Sequence, residues 1–146
     1  MQFADTLEIA APRHKVWAFL IDPQQVGSCG PGVESIEVVD ETHFRARAKV
    51  GVGFISARFT INLEMAELVP PERATIVAHG QAPGSAVDAT AGMALAELGP
   101  DRTRMDWSAE VNISGTIASV GARLIQGTAE KMINQTFGCI RTKLEA

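Results

Sequence analysis

The sequence predicts an α+β domain in which a curved antiparallel sheet of about seven strands closes over a long C-terminal helix. Three observations lead there. Six segments in succession, from residue 33 to residue 113, fit strands, most of them alternating apolar and polar residues with period two. After Gly115 the period changes, and residues 116–144, which contain no proline, read as one helix. A sheet that is apolar on one face must bury that face, and no other element in the chain is large enough to cover it.

Residues 2–10 form the first strand, with Phe3, Leu7 and Ile9 on one face. Ala11-Pro12 opens a helix, since proline suits the first helical position, and Val16, Trp17, Phe19 and Leu20 give it an apolar stripe. Asp22-Pro23 starts a second short helical turn reaching Val26, and residues 27–32 form a loop rich in turn residues. Strands follow at 33–40, 43–50, 54–68, 73–80, 85–98 and 102–113, with Gly51-Val52-Gly53 as one turn and Pro70-Pro71 ending another strand. The face of 73–80 is ambiguous. The others sort clearly: Phe44, Ala46 and Ala48 oppose Arg45, Arg47 and Lys49, and Met105, Trp107 and Ala109 oppose Arg104, Asp106 and Ser108. On the last helix, capped by Ser114 or Thr116, Ser119, Arg123, Glu130, Asn134 and Arg141 share a narrow polar arc. Ile117, Val120, Leu124, Met132 and Cys139 lie opposite. Phe137 falls inside the polar arc, and packing against the N-terminal helices is favoured over an exposed partner contact.

The 146 residues suit a single domain. A net charge of −4 argues against nucleic acid as a partner. No charged segment followed by a long apolar run marks a signal peptide, no stretch is long and apolar enough to cross a membrane, and a cytoplasmic location is expected. In that compartment Cys29 and Cys139, with no CxxC or paired Cys/His spacing, are expected to be reduced thiols and to hold no metal.

The concave face is rich in alanine: Ala46, Ala48, Ala57, Ala89, Ala91 and Ala109. Small side chains there either leave a cavity under the helix or let the helix sit close; the cavity is the favoured reading. Its walls would be Phe44, Phe59, Ile61, Met93, Met105 and Trp107 from the strands, with Leu124, Thr128 and Met132 from the helix. Cys29, Pro31, Gly51, Gly53 and His79 would form its rim. Such walls suit an apolar small molecule and would leave a charged metabolite unsatisfied. Thr128 is the candidate polar handle, although a hydroxyl bonded to the backbone one turn earlier is the commoner arrangement. Asp5 is expected to be wet, and His14 solvated between Arg13 and Lys15. No histidine is matched by pattern to Cys29 or to a serine, and no GxGxxG precedes a helix, so catalysis has little support and nucleotide binding none.

The element order, together with several local segments, resembles a known family. The segments are Ala11-Pro12-Arg13 leading to Val16-Trp17; Asp22-Pro23 with Cys29-Gly30-Pro31-Gly32-Val33-Glu34; Lys49-Val50-Gly51-Val52-Gly53; Pro70-Pro71-Glu72-Arg73; Thr103-Arg104-Met105; and Gly115-Thr116-Ile117 running to Leu124-Ile125. They resemble the CoxG-like proteins of carbon monoxide dehydrogenase, within the START/SRPBCC superfamily of helix-grip (Bet v 1-like) folds. The resemblance covers nearly the whole chain and implies a single ligand-binding domain over residues 1–146. It further implies an apolar ligand held between sheet and last helix, with a bound quinone or isoprenoid lipid as the candidate. It also implies an accessory role beside a molybdenum-containing hydroxylase, in membrane recruitment or electron handover at the inner face of the membrane. A helix-grip dehydratase or cyclase and a pure protein-docking module are the alternatives.

Overall fold

The computed structural model describes all residues 1–146. The chain runs β1 (Gln2–Ile9), α1 (Arg13–Leu20), α2 (Pro23–Gly27), β2 (Val33–Val38), β3 (His43–Val52), β4 (Ile55–Val69), β5 (Arg73–Ala82), β6 (Ser85–Gly99), β7 (Arg102–Gly115), a 3-10 segment (Thr116–Val120) and α3 (Ala122–Glu145). The strands form one seven-stranded antiparallel sheet in the order β1-β7-β6-β5-β4-β3-β2. All the predicted strands are present, because alternation over 10 to 15 residues, as in β3 and β4, specifies both the strand and its inward face.

The helices start where their sequences direct. Pro12 precedes α1, whose Val16, Trp17 and Phe19 are buried. Asp22 caps α2, its carboxylate accepting the Gln24 N–H at 3.0 Å, with Pro23 in the first turn. The turn between β3 and β4 lies one residue later than expected. Val52 remains in β3 and is buried, and Gly53, at φ 60°, and Phe54 make the bend.

The last helix differs more. The expected continuous helix over 116–144 is broken: the 3-10 segment ends at Val120, Gly121 adopts φ 101° and ψ 147°, and α3 begins at Ala122 with no side-chain cap. A 3-10 segment turns further per residue than an α-helix, and a glycine at positive φ, a conformation other residues rarely adopt, resets the phase. Leu124, expected inside, is therefore 43% exposed, and Ile125 takes the inward position. From there the buried stripe continues through Ile140 and Leu144.

The two cysteines are a correction to the sequence reading. Cys29, on the loop after α2, and Cys139, on α3, form a disulfide with their Cα atoms 5.5 Å apart. Sequence separation gave no hint of it, since the fold alone brings the α2–β2 loop onto the C-terminal half of α3.

The interior is divided. One cluster joins Ile9, Val16, Trp17, Phe19, Leu95 and Met105 to Ile140 and Leu144 at one end of the molecule. A smaller one joins Val52, Phe59, Ile117 and Ile125 at the other. Among the strands, the backbone of α3 neighbours chiefly β1 and β3, toward the two sides of the sheet. Thr103 is the one buried polar residue; its hydroxyl donates to the Ala11 carbonyl at 2.8 Å and anchors the β1–α1 connection to β7.

Candidate functional site

The space between the two clusters is the candidate site. Strand register places Ala78, Ala89, Ala91 and Ala109 side by side at the centre of the concave face, on β5, β6 and β7. All four are only half-buried. So are the inward residues around them, including Ile61, Leu63, Met65, Ile76 and Val111. From the helix side, Ala129, Met132 and Ile133 are half-buried as well. Apolar side chains that face inward yet keep contact with solvent show that α3 does not seal this part of the sheet. A close-packed interior would have buried them.

Trp107 marks one end of this alanine patch. It lies beside Ala109 on the inner face, directly across from Met93, and packs against the larger cluster. Phe137 of α3 stacks on it, with ring centroids 5.0 Å apart and a 31° tilt. Phe137 is thus packed inward, against Trp107 and the larger cluster rather than on an exposed contact surface.

The opposite end carries apolar groups in the open. Phe54, at the β3–β4 bend, is 94% exposed. Next to it, Gly53 lies against Leu124. An open depression of about 620 Å³ runs beside them along the start of α3, lined by Val120, Arg123, Leu124, Thr128 and Lys131 among others. Lys49 and Arg58 stand directly across from each other on the same hairpin, and Arg58 pairs with Glu34 at 3.2 Å. Strand parity sets Phe54 with Ser56 and Arg58 on the polar face, a signal of exposure the sequence reading passed over, whereas its place in the bend is not visible there.

The remaining candidate residues fall into three groups. Phe44, Phe59 and Met105 are buried, while Ile61, Met93, Trp107 and Met132 are half-buried. Thr128 donates its hydroxyl to the Leu124 carbonyl at 2.9 Å, which is the backbone arrangement favoured from sequence. Gly51 and Gly53 lie at the exposed end of the β3–β4 hairpin, and Pro31 lies in the loop before β2. Two rim expectations need correction. Cys29 is buried in the larger cluster and bonded to Cys139. His79 pairs across strands with Asn62 and Asp88, in register with outward residues, and hydrogen-bonds Asp88 on the convex face. A β5 with Ala, Ile and Gly on one face and Thr, Val and His on the other gives too little contrast to fix that face.

The chemistry of the inner face is spare. Along the inward register of β3 to β7 the only ionisable side chain is Glu97, opposite Thr103 at the end of β6, and it is exposed. Asp5 shares the register of Trp107 but is exposed, as expected. The resolved shifts in acidity lie on the surface. Backbone and imidazole hydrogen bonds from Thr42 and His43 hold Asp40 below the ordinary carboxylate value, and the Asp40 hydrogen bond raises His43. The Thr6 hydroxyl, then Arg104, lowers Asp106. No three His, Cys, Asp or Glu side chains converge to hold a metal.

Comparison with known proteins adds the family. The family model for CoxG, a carbon monoxide dehydrogenase subunit, matches residues 6–145. The chain belongs to the CoxG family. Among solved structures it is similar to a conserved protein from Geobacillus kaustophilus, with TM-score 0.91 and 21% identity over 99% of this chain and 95% of that one. It is also similar to the Zhui aromatase/cyclase from Streptomyces sp. R1128, with TM-score 0.75 and 16% identity over 99% and 93% of the two chains. A START superfamily protein from Mycobacterium smegmatis matches with TM-score 0.74 and 13% identity over 99% and 97%. At these identities the structural likenesses establish the fold, a START-like helix-grip. No curated protein matches. CoxG membership and the START-like fold together suggest a hydrophobic-ligand-binding or accessory role. No helix of this CoxG-family chain is long and apolar enough to cross a membrane.

Proposed function

We propose that this protein is a non-catalytic carrier that holds a quinone or similar isoprenoid lipid between the sheet and α3, and serves a molybdenum-containing, CO dehydrogenase-type enzyme at the inner face of the membrane. The observation that carries this reading is the half-buried alanine patch between two separate apolar clusters. An apolar ligand there gains roughly 25 cal/mol per Å² buried, offset by the costs of association. The family's description as a carbon monoxide dehydrogenase subunit supports this choice of partner class. An enzyme of the cyclase type would need an acid or base inside the space, and the one ionisable residue in the inward register of β3 to β7, Glu97, is exposed at the end of β6, beyond the alanine patch.

Contact with the membrane would use the end that bears Phe54 and Leu124. Their exposed apolar side chains stand near Lys49 and Arg58 on the hairpin and Arg123 on α3, a combination suited to an anionic lipid surface.

The decisive experiment is solvent extraction and native mass spectrometry of the purified protein, followed by titration with menaquinone and ubiquinone. Co-purified or added quinone bound at one per chain is the expected result. A protein that emerges empty and takes up neither quinone would refute the carrier reading.

A further inference from the structure

We propose that the ligand of the sheet–helix space carries a neutral acceptor oxygen, a ketone, quinone or ester carbonyl, at its deep end, and that the Trp107 indole N–H donates to it. This rests on reading that space as a ligand site.

The indole Nε1 of Trp107 is closed to solvent and has no hydrogen-bond acceptor among the protein's atoms; it is the one buried side-chain polar atom so left. Buried donors are paired in the great majority of native structures, so an unpaired one calls for an explanation. Its position supplies one. Trp107 stands where the larger apolar cluster ends and the small-residue patch of Ala91 and Ala109 begins. The threonine hydroxyls near the inner face are committed: Thr103 to the Ala11 carbonyl, Thr128 to Leu124 and Thr136 to Met132. Asp5, across from Trp107 on β1, is exposed and accepts the Thr6 N–H at 2.7 Å. A phenylalanine would supply comparable apolar area without an orphaned donor, so the N–H has a purpose only when an acceptor arrives.

The surroundings also set the charge of that acceptor. One neutral N–H in a wall of Met, Phe and Ala cannot compensate an ionised carboxylate, but it suits a carbonyl on a hydrocarbon body. Access to the N–H requires a neighbour to yield. Met93, directly across the β6–β7 pair, is the flexible side chain placed to do so.

Two probes of nearly the same shape test the inference: 2-acetylnaphthalene and 2-isopropenylnaphthalene, which differ by C=O against C=CH2. Each is titrated into the native protein and into a variant bearing 3-benzothienylalanine at position 107, which keeps the ring shape and removes the donor. The preference for the ketone over the alkene should fall by about tenfold in the variant. In the native protein the Trp107 indole proton, identified by its loss in the variant, should move downfield with the ketone and not with the alkene. An unchanged preference with a stationary indole proton overturns the donor role while leaving the pocket standing. Failure of both probes to bind the folded native protein removes the pocket and the inference with it.

Discussion

Gly53, at the bend of the β3–β4 hairpin, lies so close to the first turn of α3 that a Cβ added to it would stand 2.8 Å from Leu124 Cδ2. Its φ of 60° is left-handed, a conformation that costs an alanine about 1–2 kcal/mol. Gly53→Ala should therefore destabilise the protein by roughly that amount in urea unfolding. Gly51→Ala, where the nearest atom to a new Cβ is 4.0 Å away, should stay within about 0.5 kcal/mol of the native value. Equal effects of the two substitutions would contradict the hairpin geometry.

The phase of α3 can be read by truncation. Ile140 is 2% exposed within the larger cluster, so Ile140→Ala should cost about 2–5 kcal/mol. Leu124→Ala, at a side chain nearly half exposed, should cost less than about 1 kcal/mol. A continuous helix from residue 116 would reverse the expectation for Leu124, making denaturation of this variant a direct measure of the break at Gly121.

Thr103→Val keeps the shape of a fully buried residue and deletes its hydroxyl. The Ala11 carbonyl then loses its donor, at a cost of about 1–3 kcal/mol. Thermal unfolding should show the loss, and hydrogen exchange should rise first at the β1–α1 junction.

Asp40 and His43 form an exposed pair across the β2–β3 turn, Nδ1 to Oδ1 at 2.9 Å. His43 has its folded pKa raised by this hydrogen bond, so its contribution to stability is full below the unfolded value of about 6.5 and is lost as pH rises through the folded pKa. Asp40 has its pKa lowered, so its contribution is present above the unfolded value and is lost as pH falls through the folded one. The pair therefore helps most in mildly acidic solution. An NMR titration should find His43 above the ordinary imidazole value and returning toward it in Asp40→Asn; no change between the two proteins would exclude the pairing.

Thiol titration in denaturant without reductant should find no free thiol, and reduction should release both cysteines. Two thiols reacting before reduction would restore the expectation drawn from a reducing cytoplasm.

Much of the fold was legible because antiparallel strands with one apolar face repeat a strict two-residue pattern. The alternation in β3, β4 and β7 named their inward residues correctly. What stayed hidden needed contacts between distant segments. Leu124 was misplaced because a single glycine reset the helical phase, and no local pattern announces that. The Cys29–Cys139 bond joins residues 110 positions apart. Phe54 has the parity of the outward Ser56 and Arg58, but its place at the bend, which leaves it almost wholly exposed, came only with the fold. Trp107 was identified as a wall residue from its alternation, but its lack of a partner depends on every neighbour around the indole and has no sequence signature.

The separation of the apolar interior into two clusters bears on how the molecule melts. Ile125 at one end of α3 and Ile140 at the other are secured by different neighbours, and between them no residue of the helix is fully buried. An occupant bridging that middle would act as mortar between two courses of brick. It would sharpen a broad calorimetric endotherm into a single transition, so that the width of the peak would report occupancy.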